Sequence, residues 1–247
     1  MTARGPRIYL LDVEGTVAPL SLVTDQLFPY ARTHFELFLK RSAGDESVRA
    51  DLMLLAAENR AEAAEGIPRL PQVTRPEEVE TLRFRLDAMV YLVWLMDRDR
   101  KSTALKALSG KIWKTGFERG ALKGTLFADV PEAFTRWAAT GKVAIYSSGS
   151  VEAQQLLFRH SSYGDLTPLI SGYFDTRAGA KSERASYATI AAQLDTPPAE
   201  VLFFSDAVRE LDAAHAAGCA TRLVVREGNA PVENAHGHAV IDDLTSI

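Results

Sequence analysis

Four short segments carry residues able to do chemistry. Asp12, Val13, Glu14, Gly15 and Thr16 follow an apolar run, Ile8 to Leu11. They put two carboxylates two positions apart beside a glycine that lets the backbone turn sharply against a ligand. Ser147, Ser148, Gly149 and Ser150 follow the apolar stretch Val143 to Tyr146. Small hydroxyls and exposed backbone N–H groups ahead of a helix make an anion site. Lys181 lies at a helix start, where it opposes the helix dipole and where an anion would account for it. Asp206 directly follows Phe203, Phe204 and Ser205, and Glu210 stands one helical turn later. Taken singly, each has a plain structural reading: Asp12 and Asp206 as turn or helix caps, the serines as an N-cap cluster, Lys181 as a solvated side chain. Acid, serine, lysine and acid in that order, each at a strand end or helix start, together make the oxygen-rich, phosphate-holding set of a Mg²⁺-dependent phosphoryl-transfer site.

The elements that must position these groups alternate. Residues 8–12, 143–146, 201–204 and 221–225 read as strands, and 131–140, 151–160, 183–194 and 208–217 as helices. Repeated strand–helix units imply a parallel, doubly wound sheet, in which ligands bind beyond the carboxyl ends of the strands. Asp12, Ser147 and Asp206 all stand at such ends and would meet if their strands were adjacent. Between about Pro29 and Gly120 the pattern is helical throughout, over 46–64, from Pro76 to about Asp97, and over 102–119. The expected organisation is therefore an α/β catalytic core, residues 1–20 and 121–247, interrupted by an all-helical cap, residues 21–120. Closure would turn about the crossings near 18–22 and 120–126, where Gly120 and Gly124 stand.

Composition narrows the partners. The 247 residues include 28 Lys and Arg against 32 Asp and Glu, a net charge of −4, with 47% apolar and 24% charged residues. A mildly acidic chain has no overall electrostatic reason to bind nucleic acid or an anionic membrane. The longest apolar run, Ala88 to Met96, is far short of the roughly 20 residues a bilayer span needs. Residues 1–7 lead to only four apolar residues before Asp12, too few for a signal peptide. The single cysteine, Cys219, can form neither an internal disulfide nor a Cys-rich metal site, which points to a reducing cytoplasm.

The motif order resembles the haloacid dehalogenase superfamily of phosphohydrolases. Glu14, where that superfamily's first motif usually has a second aspartate, is typical of its enolase-phosphatase (acireductone synthase) branch. Similarity to that branch extends through Leu10–Thr16 and Leu27–Arg32, through Leu108–Phe117 with Gly110, Ile112 and Trp113, and through Tyr146–Gln154. It continues through Gly172–Thr176 with Lys181 and through Val224–Ala230. It is thinnest over residues 42–80. The resemblance implies one Mg²⁺ per chain, held by Asp12, Asp206 and the residue-14 carbonyl. It implies Asp12 as nucleophile, Glu14 as acid–base or positioning group, Ser147 and Ser148 on the phosphate, and Lys181 neutralising charge. It also implies a methylthio-bearing diketone phosphate as substrate, enolised and then dephosphorylated in methionine salvage. Phe28, Trp94 and Trp113 are candidates for its apolar end, with cap packing as the alternative, and Trp113 is the one retained. Rival readings are a phosphatase for another small ester without enolase activity, a non-catalytic binding module and a metal-free dehalogenase. Nothing marks a subunit interface, so a monomer is the default expectation.

Overall fold

The computed structural model describes residues 6–247. Most of the N-terminal stretch read above as lacking a leader, residues 1–5, lies outside the described residues. The chain divides into two compact units: one runs up to Val23 and resumes over Gly120–Ile247, and the other is Thr24–Arg119.

The first unit is a six-stranded, all-parallel sheet in the order β3-β2-β1-β4-β5-β6, with β1 Ile8–Leu11, β2 Lys142–Tyr146, β3 Ile170–Phe174, β4 Val201–Ser205, β5 Ala220–Val224 and β6 Ala239–Ile241. Its helices are α5 Val130–Ala138, α6 Val151–Arg159, α7 Arg184–Gln193 and α8 Val208–Ala216. Every residue of β1 is buried, as a strand covered on both faces requires. Ile8 and Leu10 join Tyr146, Phe203, Tyr187 and Ile190 on the α7–α8 side. Tyr9 stacks on Trp137 of α5 at 4.6 Å, and Trp137 also stacks on Phe204 at 5.1 Å. Side-chain alternation along each strand thus feeds two separate apolar layers.

The second unit contains α1 Phe28–Ser42, α2 Glu46–Ala61, α3 Leu82–Asp97 and α4 Thr103–Glu118. It has its own core, including Phe35, Leu39, Leu52, Leu55, Phe84, Tyr91, Leu92 and Leu108. Ser102 caps α4 by accepting from the Leu105 N–H, and Glu58 of α2 accepts from the Thr103 and Ala104 N–H groups. Three of the free donors at this helix start are satisfied in this way, from a neighbouring helix as well as locally.

Three features differ from the sequence reading. The helix expected from Pro76 is two elements. Residues Pro76–Glu80 form a 3-10 turn, Thr81 is extended, and the Thr81 hydroxyl caps α3 by accepting from the Phe84 N–H. The Glu78 carboxylate causes the break by folding back onto the Thr74 and Arg75 N–H groups. Strands β3 and β6 were not anticipated, because both are incompletely buried outer strands, β3 carrying Ser171 and Gly172 and β6 being three residues long. Gly124 is not a neutral place to stiffen the chain, since a Cβ there would sit 2.1 Å from the Leu157 carbonyl oxygen.

Those backbone bonds hold the Glu78 carboxyl at about 2, below its ordinary 4.5. A depressed folded-state value means the contribution is complete above 4.5 and is lost as pH falls toward 2. The melting-temperature gap between the wild type and Glu78→Gln should therefore narrow steadily from pH 5 to pH 2 in a calorimetric series.

Candidate active site

The carboxyl ends of three neighbouring strands, β2, β1 and β4, converge. Asp12 continues β1, its N–H donating to the Phe204 carbonyl at 2.9 Å, and only 4% of the residue is exposed. The chain then turns back: the Val13 carbonyl accepts from the N–H groups of Thr16, Val17 and Ala18. Gly15 sits at φ +76°, a conformation that costs other residues about 1–2 kcal/mol. A Cβ at Gly15 would lie 2.3 Å from Asp206 Oδ2 and 3.1 Å from Asn229 Oδ1. The glycine is thus required twice, by its dihedral and by the carboxylate packed against it.

Lys181 reaches in from the turn before α7. Its ammonium donates to Asp12 Oδ1 and, at 2.8 Å, to Glu210 Oε2. Glu210, on the first turn of α8, also accepts from the Ser205 hydroxyl at the end of β4, at 2.9 Å. The turn carrying Lys181 is stapled by three hydroxyls: Tyr146 donates to the Gly179 carbonyl, Ser186 to that of Ala180, and Tyr187 to that of Lys181. Ser147 is 1% exposed; its hydroxyl donates to Glu14 Oε2 at 3.2 Å and accepts from the Gly149 N–H at 3.0 Å.

Charge is unbalanced here. Four carboxylates, Asp12, Glu14, Asp206 and Glu210, face one ammonium. Burial, helped by Glu210 and Glu14, pushes the Asp12 carboxyl up to about 8 against the opposing pull of Lys181. Burial and Glu210 raise Asp206 to about 6. Burial alone would lower the Lys181 ammonium, but Asp12 and Glu210 overcome it and hold the value well above normal.

Among the described residues no group of three or more His, Cys, Asp or Glu side chains is arranged to hold a metal by itself. The donor set here is different in kind: two carboxylates and main-chain oxygen at the end of β1. Its chemistry fits a hard divalent cation. Asp206 Oδ2 and Asn229 Oδ1, the latter buried with no hydrogen-bond partner among the described residues, lie 2.3 and 3.1 Å from where a Gly15 Cβ would be.

Asp12 and Lys181 are thus joined by an ion pair and Glu14 and Ser147 by a hydrogen bond, Asp206 lies against Gly15, and Ser148 follows Ser147 in the same loop. Trp113 lies in the helical unit, its indole N–H donating to the Leu27 carbonyl at 2.7 Å and its ring 6.2 Å from that of Phe28. Trp94 is buried in that unit's core.

The family model described as haloacid dehalogenase-like hydrolase matches residues 6–218. A protein of Synechococcus elongatus named Enolase-phosphatase E1 is 53% identical over 225 residues, covering 91% of this chain and 90% of that one. The chain belongs to the enolase-phosphatase family. Another enolase-phosphatase E1, from Azotobacter vinelandii, is 42% identical and covers 98% of this chain and 96% of its own. The crystal structure of the UTR4 protein of Saccharomyces cerevisiae superposes with a TM-score of 0.76 at 32% identity, covering 98% of this chain and all of that one. A dehalogenase at 17% identity, TM-score 0.56, covering 99% of this chain and 96% of its own, shares the fold.

Sequence reasoning assigned Glu210 no role beyond facing the same way as Asp206, and it did not single out Arg226 or Asn229 in this enolase-phosphatase-family chain. Helical spacing from Asp206 was the available signal for Glu210. For the other two there was only a matching stretch, since their contacts cross more than 200 positions: Arg226 Nε donates to the Thr16 carbonyl and Asn229 Nδ2 to that of Gly15.

Proposed function

We propose that the chain is a Mg²⁺-dependent enolase-phosphatase. It enolises 2,3-diketo-5-methylthiopentyl-1-phosphate and then hydrolyses its phosphate, giving the acireductone of L-methionine salvage. The observation that carries this reading is the buried Asp12 at the end of the central strand, ion-paired to Lys181, with Glu14 bonded to Ser147 beside it. Names borne by relatives at 42–53% identity over nearly the full chain support the choice of substrate.

In enolisation Glu14 takes a proton from the carbon beside a carbonyl, the C–H electron pair becomes the new C=C bond, and the carbonyl π pair moves onto oxygen as the enolate. In the second stage an Asp12 oxygen attacks phosphorus, the bond from phosphorus to the leaving oxygen breaks, and an aspartyl-phosphate forms. Glu14 gives the departing oxygen its proton, then takes one from the water that attacks the aspartyl-phosphate. Phosphate leaves and the Asp12 carboxylate is restored. The Ser147 hydroxyl and the Ser148 N–H hold phosphate oxygens, and Lys181 offsets their charge. Asp12, Asp206 and the residue-14 carbonyl would hold the Mg²⁺, which when bound would supply the positive charge that lets two anions approach. In this reading the helical segment, residues 21–120, is the cap, and Trp113 is its candidate for recognising a methylthio group. The same reading makes the protein a cytoplasmic monomer acting on a small molecule, without nucleic-acid or membrane partners; no described helix is long and apolar enough to cross a membrane.

The test supplies the purified chain and Mg²⁺ with the methylthio diketone phosphate beside p-nitrophenyl phosphate and phosphoglycolate. Phosphate release and near-ultraviolet absorbance of the conjugated enol are followed together. Enol absorbance coupled to phosphate release on the diketone ester alone is expected. Equal turnover of all three esters without the enol signal would replace this reading with a general phosphatase, and activity indifferent to EDTA would remove the metal.

Gly15→Ala tests the loop independently. Its Cβ must displace the Asp206 carboxylate, and a displacement of about 1 Å can cost ~10²-fold in rate. Steady-state kinetics should show a fall in kcat/KM of that order.

A further inference from the structure

Asn229 stands in the loop after β5, outside the acid–serine–lysine–acid set. Its amide nitrogen donates to the Gly15 carbonyl at 2.8 Å. That contact fixes which way the amide faces, because a flipped amide would set oxygen against the carbonyl oxygen. Its Oδ1 is consequently turned away from the carbonyl, and it is buried with no hydrogen-bond partner among the described residues. Asp206 Oδ2 lies beside the same glycine. Both oxygens lie around the same small space, 3.1 and 2.3 Å from where a Gly15 Cβ would be. Two acceptors cannot satisfy one another, and a buried acceptor left unmade carries a desolvation penalty. The space calls for a donor or a cation between them.

Arg226, three residues earlier, holds the same loop from the other side. Its Nε donates to the Thr16 carbonyl at 3.2 Å, while its guanidinium is paired with buried Asp129 at 2.8 Å and lies over the Phe127 ring. The Thr16 side is therefore held by a fully committed residue. Asn229, in contrast to Arg226, keeps an acceptor in reserve.

We propose that Asn229 is a positioning residue for the divalent cation: its Oδ1 accepts from a water of the cation's hydration shell beside Asp206, while its amide nitrogen fixes the Gly15 carbonyl. Mg²⁺ keeps several of its waters in protein sites, and such waters need acceptors of this kind. Groups that act on a metal through its ligands commonly change affinity by 10–100-fold when removed. This inference rests on the metal-dependent reading above and adds a residue to it.

The experiment is a Mn²⁺ titration of the intact chain without substrate, followed by electron paramagnetic resonance at about 0.15 M salt, a level that screens distant charges. Asn229→Ala removes both the donor and the acceptor, and the Mn²⁺ dissociation constant should rise about tenfold. Asn229→Asp keeps an oxygen at that place and loses only the donor, so it should bind Mn²⁺ at least as tightly as the wild type. Weakening by both variants alike would reduce Asn229 to a tether of the Gly15 carbonyl and overturn the proposal, as would wild-type affinity in Asn229→Ala. Asp206→Asn separates the two layers of the argument. Lost Mn²⁺ binding in that variant with wild-type binding in Asn229→Ala removes Asn229 and leaves the metal site standing. Unchanged binding in Asp206→Asn removes the metal site itself.

Discussion

Asp12→Asn should lower kcat at least ~10³-fold, as loss of other enzymic nucleophiles does, while leaving the fold intact. An amide oxygen is too weak a nucleophile to form the phosphorus–oxygen bond. The same substitution should not destabilise the metal-free protein at neutral pH. In the folded chain the Asp12 carboxyl is raised to about 8 from 3.8, chiefly by burial. A raised folded-state value means that stability falls as pH rises from 3.8 to 8, because the unfolded chain ionises first. Asparagine has no such dependence. The melting temperature of Asp12→Asn without Mg²⁺ should equal or exceed that of the wild type at pH 7, and the gap should vanish near pH 4. A variant that is inactive yet unfolds well below the wild type would mean that Asp12 holds the sheet together and that its loss of activity is indirect.

Lys181→Met should carry the second-largest effect, and in both properties. The side chain of Lys181 is 13% exposed, and its ammonium is shared by Asp12 and Glu210, whose side chains are 5% and 20% exposed. Methionine keeps much of the stem and removes the charge, leaving two carboxylates facing one another. Breaking a buried pair from one side typically costs about 3–5 kcal/mol. Proton uptake by Asp12 relieves part of this, so a loss of up to about 3 kcal/mol in denaturant unfolding is expected, shrinking as pH falls and the acids protonate. On catalysis, losing a preorganised positive charge at the phosphate should cost about 10²–10³-fold in kcat. Turnover near the wild-type value would show that the lysine only balances Asp12 and has no part with substrate.

What could be read from sequence follows the physics of each element. The apolar run before Asp12 is legible because a central parallel strand has no polar face to show, and the serines and Asp206 are legible because they sit where apolar strands stop. Strand β3 is hidden by Ser171 and Gly172, which an incompletely covered outer strand tolerates. Pro76, Glu77 and Glu78 carry the composition of a helix start, yet the length of one glutamate side chain lets it close on the backbone behind it and end the turn at Thr81. Spacing placed Lys181 at a helix start; it could not supply the Tyr146, Ser186 and Tyr187 hydroxyls that aim it. The clasp from Arg226 and Asn229 onto the loop after β1 depends on β5 closing beside β4, a tertiary fact with no local trace.

The position of β1 has a bearing on how the polypeptide is made. Of the six strands β1 is made before the others, yet its hydrogen-bonding neighbours are residues 142–146 and 201–205. At synthesis rates of roughly 5–20 residues per second, the strand waits on the order of ten seconds for its first neighbour. Throughout that interval an apolar segment with open edges is exposed to chaperones and to other nascent chains. The intervening helices, which pair among themselves and bury their own core, can fold during the delay. This central strand is thus made before the other five and secured late, and conditions that slow translation should show first as aggregation of truncated chains ending before β2.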